Sequence, residues 1–314
     1  MSFRIGLVGL CTSHPGSWIP LIREYVNDEL FDARIVAAWD SGETRPAGFA
    51  KEFCAEMNIP HAVDKLEDML PLVDGVIVHT TNWDKHIEQA EMFVKAGKSV
   101  YIDKPIAGNL ADADIYLDWI KQGYRVVGGS VLRYFKPAED FLAIPEEERG
   151  KVYTAYTAVG VDDFNYGIHG YATLASILGS GIVSAQCVAR SNQNQIILEW
   201  KDGRVGILTA GQSAWLPFTL TAVTDKKVIQ LETGEGVYCN MLRKVMPYFT
   251  GKTDELPVSA AEMIEPELAA MAARMSWMNN GKKVYLTDLR CDDAGFDGTQ
   301  FATEYRRTRL QAAK

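Results

Sequence analysis

Short apolar runs rich in β-formers alternate with longer stretches of helical periodicity over the first 130 residues. The strand-like runs cover residues 4–9, 34–40, 75–78, 99–102 and 126–127. The helical stretches cover residues 17–29, 46–57, 66–70, 86–96 and 112–122. Ser17 suits the N-cap of the first helix, and Pro20 is tolerated in its first turn. This alternation predicts an α/β fold, with a parallel sheet and crossover helices.

The pattern changes after about residue 130. Strand-like runs now follow one another across short loops, at residues 152–159, 184–189, 195–200, 205–210, 219–224 and 228–232. One helical stretch interrupts them at residues 169–178, and residues 260–279 form a final long helix. This order is typical of an α+β unit with a mostly antiparallel sheet. The chain is therefore predicted to hold two domains, residues 1–128 and residues 129–314.

The composition is that of an ordinary folded protein. Of the 314 residues, 47% are hydrophobic and 23% are charged, which excludes disordered and coiled-coil chains. No apolar run approaches the roughly 20 residues of a membrane-spanning helix, so no membrane partner is expected. The first residues lack the apolar segment and cleavage site of a secretory signal. We therefore expect a cytoplasmic protein.

Charge and cysteine content narrow the chemistry further. The net charge of −9 argues against a nucleic-acid partner, because phosphate binding needs clustered positive charge. The five cysteines are widely scattered and form no C-x-x-C pair, so we expect reduced thiols. No cluster of histidine and acidic residues has metal-ligand spacing along the chain, so no metal is predicted.

The first strand ends in a glycine and the second in an acid, as in a dinucleotide-binding βαβ unit. Gly9 lies where the chain must turn, and Asp40 lies where a carboxylate accepts the ribose hydroxyls. Asp40 would repel a 2′-phosphate, which favours NAD as the cofactor, while the nearby Arg45 keeps NADP open as an alternative.

The glycine fingerprint itself is incomplete. In G-L-C-T-S-H, Cys11 and His14 occupy the second and third glycine places of G-x-G-x-x-G. One interpretation is that Gly9 serves only a strand-to-helix turn. The order of strand, loop, helix and Asp40 favours another, a phosphate loop over residues 12–16 whose hydroxyls and amides replace the missing glycines. His14 would then approach the cofactor.

Four further motifs occur in order. They are V-H-T-T-N at residues 78–82 with His86 after it, A-G-K-S-V-Y-I-D-K-P at 96–105, R-Y-F-K-P at 133–137 and N-Y-G-I-H at 165–169. Together they resemble the glucose-fructose oxidoreductase and inositol dehydrogenase family, Gfo/Idh/MocA, from residue 3 to about residue 285. The family's usual sequences at these places are T-P-N-x-x-H, G-K-H-V, E-K-P and D-x-G-x-H. In this chain Thr or Asn replaces the proline, Ser99 replaces the histidine of G-K-H-V, and Asp103 replaces the glutamate of E-K-P. Asn165 replaces the aspartate of D-x-G-x-H.

The resemblance implies a Rossmann NAD(P)-binding domain over residues 1–128. It implies an α+β domain over residues 129–314 that binds substrate and assembles the protein into a homodimer or homotetramer. The expected partner is a small, carbohydrate-like substrate.

By resemblance, Lys104 and His169 are the acid–base groups. Oxidising an alcohol with NAD removes the hydroxyl proton while hydride leaves the carbon, so a positioned base is needed. Lys104 ends a strand where open α/β sheets bind ligands, and nearby burial or positive charge would lower its pKa. Pro105 would hold the turn, with a cis bond as one option. On spacing alone, a solvated lysine and a core histidine are the commoner outcomes.

The site residues implied by the loop and the resemblance form two sets. Those assigned to the cofactor are Gly9, Cys11, Thr12, Ser13, His14, Asp40, Thr80, Thr81, Asn82, His86, Asp103 and Lys104. Those assigned to the substrate are Lys104, Asn165, Tyr166 and His169.

Two positions of the family's site have lost negative charge. The aspartate that pairs with the histidine is Asn165 here, and the position three residues after the histidine is Ala172. A neutral amide orients an imidazole without stabilising its charged form, so His169 is expected to be mostly neutral at pH 7. Asn165→Asp is then expected to raise the pKa of His169 by about one unit. Whether Asp162 or Asp163 compensates stays open.

The other histidines receive simpler assignments. His86 is expected to start its helix and to support the loop beneath the nicotinamide, as the family suggests. His61 and His79 have no assigned partner, and ordinary solvation or core burial is expected for both.

Three functions compete. The leading one is an NAD(P)-dependent oxidoreductase acting on a sugar, polyol or related hydroxylated molecule. The second is an NAD-using glycosidase or eliminase with transient oxidation, which would produce no net NADH. The third is a non-catalytic nucleotide-binding sensor, which the neutral Asn165 and Ala172 keep open.

Overall fold

The computed structural model describes residues 2–24, 32–234 and 236–312. Its first sheet contains β1 (Phe3–Val8), β2 (Ala33–Trp39), β3 (His61–Ala62), β4 (Gly75–Val78), β5 (Ser99–Asp103) and β6 (Val126–Gly129). All six strands are parallel, in the order β3-β2-β1-β4-β5-β6. The strand order reverses between β1 and β4, so a ligand crevice opens at their carboxyl ends. The predicted α/β sheet is confirmed.

The crossover helices of this half are α1 (His14–Glu24), α2 (Phe49–Glu56), α3 (His86–Lys95) and α4 (Leu110–Lys121). Short 3-10 turns cover Leu66–Met69 and Trp83–Lys85. The predicted cap at Ser17 is wrong, because its amide already donates to the carbonyl of Ser13 in a helical turn. Pro20 consequently lies beyond the first turn. The predicted end of this helix near residue 29 lies outside the described residues.

The second sheet contains β7 (Val152–Val159), β8 (Ile182–Arg190), β9 (Gln193–Trp200), β10 (Val205–Gly211), β11 (Thr219–Thr224), β12 (Val228–Glu232) and β13 (Val284–Tyr285). Their order is β12-β11-β7-β10-β9-β8-β13. All neighbouring pairs are antiparallel except β7 and β10, which are parallel. The predicted α+β second half with a mostly antiparallel sheet is therefore confirmed.

The helices of the second half are α5 (Lys136–Ala143), α6 (Glu146–Arg149), α7 (Gly167–Leu178), α8 (Val237–Phe249), α9 (Ala260–Met278) and α10 (Gly298–Ala312). The expectation that α9 is the final helix is wrong. α10 follows it and returns to the first half, where the Thr299 amide donates to Asp84 Oδ2 at 2.9 Å. The sequence of α10 is mostly polar and lacks the apolar stripe by which a core-facing helix is recognised, so the sequence analysis did not predict this helix.

One continuous hydrophobic core joins the two halves of the protein. α7 and α9 lie between the second sheet and the first half, and both are largely buried. The division at residue 128 stays a prediction. Among the described residues, no helix is long and apolar enough to cross a membrane. The five cysteines are free thiols, as expected.

Candidate functional site

The turn after β1 is tight and needs glycine. Gly9 has a φ of +83°, and a Cβ there would lie 2.5 Å from Thr80 Oγ1 and 2.7 Å from the Thr80 amide. Asp40 holds the same turn, since its Oδ2 accepts from the Leu10 amide and its Oδ1 from the Gly42 amide, both at 2.8 Å. Asp40 thus lies at the end of β2 beside the glycine turn.

The prediction of a longer loop over residues 12–16 is wrong, because α1 already begins at His14. Cys11 is fully buried, and burial raises the pKa of its thiol. Thr12 Oγ1 accepts from the His14 amide at 3.2 Å, while Ser13 is exposed. The first turn of α1 therefore begins directly at His14, and its side chain points into the protein.

Asp103 gathers three elements at the carboxyl edge of the first sheet. Its Oδ2 lies 2.5 Å from His14 Nδ1 and 2.9 Å from His79 Nδ1, and its Oδ1 accepts from the Lys104 amide at 2.8 Å. Burial alone would raise the pKa of Asp103, but the hydrogen bonds and charge of the two histidines outweigh it. The pKa of Asp103 consequently lies well below its usual range, and the carboxylate is ionised.

His79 has a partner that the sequence does not indicate, since its Nδ1 bonds Asp103, and burial lowers the pKa of its imidazole. His14, His79 and Asp103 also bring possible ligand atoms within 4.8 Å of one another, a grouping that spacing along the chain does not reveal. Hydrogen bonds explain these short distances, because Asp103 Oδ2 can accept one N–H from each histidine ring. His79 Nε2 is buried without a partner.

The loop after β4 is held from below by α3. His86 begins α3, as predicted, and its Nε2 lies 2.6 Å from the Thr80 carbonyl. Thr80 Oγ1 donates to Gln89 Oε1 at 2.5 Å. Burial lowers the pKa of His86, so the ring is neutral and donates only one hydrogen bond. Thr81 is buried beside this loop.

α10 covers the far end of the same loop. Asn82 Nδ2 donates to Glu43 Oε1 at 2.7 Å and to Thr299 Oγ1 at 3.2 Å. The rings of Trp83 and Phe301 lie 5.0 Å apart. Two elements that the sequence analysis did not assign, the loop at Glu43 and α10, therefore complete this side of the crevice.

Lys104 lies where the two halves meet. Its Nζ donates to the Asn165 carbonyl at 2.9 Å and to Asn165 Oδ1 at 3.0 Å, and it lies 5.3 Å from the centre of the Tyr166 ring. Burial lowers the pKa of the Lys104 amine, while the charges of Asp103 and Asp162 oppose that shift. The Lys104–Pro105 bond is cis.

Asn165 has a different partner from the one expected. It bonds Lys104, and its Nδ2 also lies 3.4 Å from Asp162 Oδ2. Asp162 Oδ1 accepts from the amides of Phe164 and Tyr166 at 3.0 and 2.8 Å. Of the two acids left open by the sequence, Asp162 is therefore the one joined to Lys104, through Asn165.

His169 is buried on the first turns of α7. Its Nδ1 lies 2.8 Å from Ser130 Oγ, so Ser130 and not Asn165 orients the ring. Burial, followed by the positive charge of Lys104, lowers the pKa of His169 well below its usual value. Ala172 is also buried and adds no charge. A neutral His169 is as expected, although burial supplies the reason.

A polar cavity of about 410 Å³ opens beside Asp162. Carboxylates, amides, a guanidinium and an indole supply most of its wall. The lining residues are Asp162, Asp163, Ser191, Asn192, Asn194, Gly211, Gln212, Arg274 and Trp277. Hydrogen-bond acceptors, donors and one flat ring therefore line this cavity.

The sequence contains no indication of Ser130 and Thr299 as partners of the site, leaves His79 without a partner, and leaves open the choice between Asp162 and Asp163. Only His79 carried a usable signal, because it directly follows a buried strand whose neighbours β1 and β5 end in assigned residues. Ser130 and Thr299 lie in segments without a motif, so only the folded chain shows their contacts.

Comparison with known proteins agrees with this geometry. Residues 3–128 match the model of GFO_IDH_MocA, described as an oxidoreductase family with an NAD-binding Rossmann fold. A putative UDP-kanosamine synthase oxidoreductase subunit of Amycolatopsis mediterranei is 30% identical over 134 residues, 43% of this chain and 35% of that protein. The putative oxidoreductase YceM of Salmonella typhimurium is 30% identical over 113 residues, 36% of this chain and 33% of that protein.

These alignments span about a third of the length of either curated relative. The fold is similar over a longer range to the crystal structure of scyllo-inositol dehydrogenase from Lactobacillus casei with bound NAD(H) and scyllo-inositol. That match covers 91% of this chain and 100% of the other, with a TM-score of 0.73 and 15% identity. The resemblance inferred from the motifs is therefore confirmed over residues 3–128, which match the model of this oxidoreductase family.

Proposed function

We propose that this protein is an NAD-dependent oxidoreductase that transfers hydride between nicotinamide and a sugar, polyol or related hydroxylated molecule. The observation that carries the proposal is Lys104, whose amino group meets the second half of the protein at the edge of a family-matched Rossmann sheet. The solved dehydrogenase of similar fold that holds NAD(H) and scyllo-inositol supports the substrate class.

The residues at the crevice fit a dinucleotide. Gly9 keeps the turn free of a side chain, Asp40 offers a carboxylate at the end of β2, and His79 Nε2 is a buried polar atom without a partner. When bound, NAD supplies the hydride acceptor. Asp40 gives the preference for NAD, since it would face a 2′-phosphate. Tighter binding of NADPH than of NADH in a fluorescence titration would contradict that preference.

Lys104 is the proposed acid–base group. Because burial favours its neutral form, the amine can accept the proton of a substrate hydroxyl as hydride leaves the same carbon. The resulting ammonium is stabilised by the two oxygen atoms of Asn165. In the reverse direction the ammonium returns the proton to the carbonyl oxygen.

His169 is proposed to bind the reacting oxygen. The low pKa of this buried ring keeps it neutral, and Ser130 fixes its orientation. A neutral imidazole can donate one hydrogen bond or accept one, but it carries no charge to stabilise an alkoxide. Lys104 therefore carries the larger share of proton transfer.

The Asp162 cavity is proposed to hold the remainder of a hydroxylated substrate. Its distinct contribution is testable through the amide Asn194, which lines the cavity and lies outside the Lys104 contacts. Asn194→Ala is expected to raise the KM for the substrate several-fold and leave kcat within about twofold, because the lost bond is made before and during reaction alike. A loss in kcat alone would contradict this role.

The decisive experiment replaces Lys104 with alanine. Turnover of an inositol and sugar panel with NAD should fall by about 10²–10⁴-fold, while the Kd for NADH changes only a few-fold. Lys121→Ala, at an exposed lysine of α4, is the matched control and should keep wild-type rates. Near-normal kcat in Lys104→Ala would remove the lysine from the mechanism. NADH binding without turnover of the panel by the wild-type protein would favour the nucleotide-binding sensor.

Self-association through the second sheet is part of the proposal. The sheet face turned away from α7 and α9 leaves Tyr156 and Val223 exposed and Ile197 partly exposed. Exposed apolar side chains on an open sheet face are a common basis for dimers. Tyr156→Glu should lower the mass measured by light scattering from a dimer or tetramer to a smaller species. A wild-type protein that is monomeric at micromolar concentration would contradict this proposal.

A further inference from the structure

Glu267 is a buried acid that the proposed chemistry does not use. It lies on α9 of the second half and is 1% exposed. Its Oε1 accepts a hydrogen bond from the Ile106 amide at 3.0 Å, and its Oε2 is buried without a partner. Ile106 is two residues after Lys104, so this bond joins α9 directly to the turn that carries the lysine.

The bond occupies a special place in that turn. Pro105 has no N–H, so the Ile106 amide is the first backbone donor after Lys104. The Ile106 carbonyl faces His86 Nδ1 of α3 at 3.3 Å. The turn is therefore bordered on its carbonyl side by the first half of the protein and held on its amide side by the second.

Among the residues that the structure describes, no cation acts on the pKa of Glu267. The titratable groups that interact electrostatically with it are Tyr101 of β5 and Tyr116 of α4, both buried phenols. Burial raises the pKa of Glu267 to about 8, against the smaller opposing effect of the Ile106 amide. A neutral carboxylic acid fits the unpartnered Oε2, because an ionised carboxylate would leave a charged oxygen without any donor.

We propose that Glu267, as a neutral acid, is a positioning residue for Lys104. Its acceptor oxygen fixes the Ile106 amide and thereby the direction in which Lys104 leaves β5. Ionisation of Glu267 would require water or a cation between α9 and the turn, because nothing there compensates the charge. The lysine would then lose its fixed place at alkaline pH. The catalytic meaning of this role rests on the proposed function.

Two substitutions distinguish the effect of the hydrogen-bond acceptor at position 267 from the effect of its ionisation. Glu267→Gln keeps an oxygen for the Ile106 amide and cannot ionise, whereas Glu267→Leu has similar size and no acceptor. Glu265→Gln is the matched control on the same helix. Burial also raises the pKa of Glu265, but its Oε1 accepts from the Gly181 and Ile182 amides, far along the chain from the Lys104 turn.

The readout is the rate at which formaldehyde and cyanoborohydride methylate Lys104, followed by mass spectrometry of its peptide between pH 6 and pH 10. The ratio of the wild-type rate to the Glu267→Gln rate should be constant below pH 7 and change several-fold above pH 8. Glu265→Gln should follow the wild-type profile. Glu267→Leu should differ from wild type already at pH 7, with Glu267→Gln restoring the wild-type rate there.

A ratio that stays flat from pH 6 to pH 10 would overturn the inference, as would the same change in Glu265→Gln. If Glu267→Leu does not fold, the glutamine variant still decides the matter. Methylation needs neither NAD nor substrate, so the proposed function is judged separately by NADH binding and turnover of the wild type. A pH-dependent ratio in a protein without turnover would keep the positioning role and remove the enzymatic one.

Discussion

Lys104 lies between two regions of the site that differ in the charge of the groups nearest to it. On the side of the first sheet, Asp103 is an ionised carboxylate that collects N–H groups from His14, His79 and the chain itself. On the side of α7, the nearest groups are the oxygens of the amide Asn165, and the buried His169 is neutral. In the first region a carboxylate contacts its donors directly, whereas in the second the carboxylate of Asp162 is joined to Lys104 only through Asn165.

This difference assigns the two regions different work. A buried carboxylate with several donors is rigid, because moving it leaves donors unsatisfied. It suits the fixed floor of a crevice. A neutral amide and a neutral imidazole tolerate a lysine that changes its charge during a proton transfer. The asymmetry therefore favours proton movement at Lys104 and a constant charge at Asp103.

The largest effect is expected from breaking the charged region. Asp103→Asn should lower the free energy of unfolding by about 2–4 kcal/mol, because it removes a buried charge with several hydrogen bonds. Urea unfolding at pH 7 measures this. Asp118→Asn, at an exposed carboxylate of α4, is the control and should change little.

The pH dependence of that difference has a fixed sign. The pKa of Asp103 is lower in the folded protein than in the unfolded chain, so its stabilisation is present above about pH 4. It is lost as the pH falls further, through the folded pKa. The gap between wild type and Asp103→Asn should therefore shrink in acid. A gap that widens below pH 4 would contradict an ionised Asp103.

Adding charge to the second region should have the next largest effect. Asn165→Asp places a carboxylate against Lys104 and should raise the pKa of that amine by about one unit, or about 1.4 kcal/mol. The pH–rate limb assigned to Lys104 should move upward. Titration of His169 by NMR should show a smaller shift. A larger shift at His169 would restore the pairing expected from the sequence and contradict the contact with Lys104.

A smaller effect is expected at Ser130. Ser130→Ala removes the partner of His169 Nδ1 and also the acceptor for the Leu132 amide at 3.1 Å. Ser130 caps the helical turn that begins at Val131. Loss of a capping side chain lowers the free energy of unfolding by about 1 kcal/mol, which chemical denaturation measures. Ser130→Thr keeps a hydroxyl and should retain most of that stability. Equal losses in both variants would show that side-chain size, and not the hydroxyl, matters there.

His61 should have the smallest effect. Its side chain is exposed at the edge strand β3, far in the strand order from β5. His61→Ala should stay within about 0.5 kcal/mol of wild type in stability and leave NADH affinity unchanged. A marked loss of NADH affinity would show that a third region, around β3, also contributes to cofactor binding.

The sequence by itself determined most elements of the first half, although it did not predict the short edge strand β3. Buried parallel strands are apolar on both faces, so residues 75–78 and 99–102 are visible as short apolar runs, and β4 begins and ends where predicted. The motif around Lys104 could be recognised because its residues are adjacent in the chain. The strands of the second sheet could be predicted because they are β-rich runs separated by short loops. β7, β11 and β12 lie at their predicted bounds.

Only the tertiary structure decided which side chains meet. His14, His79 and Asp103 are brought together because three parallel strands end at one edge, and Glu267 reaches Ile106 from a helix 161 positions along the chain. Local periodicity reports whether a residue faces the core, but it does not report its neighbour there. The partner of Asn165 and the return of α10 depend on how the two halves close on each other, which no single segment encodes.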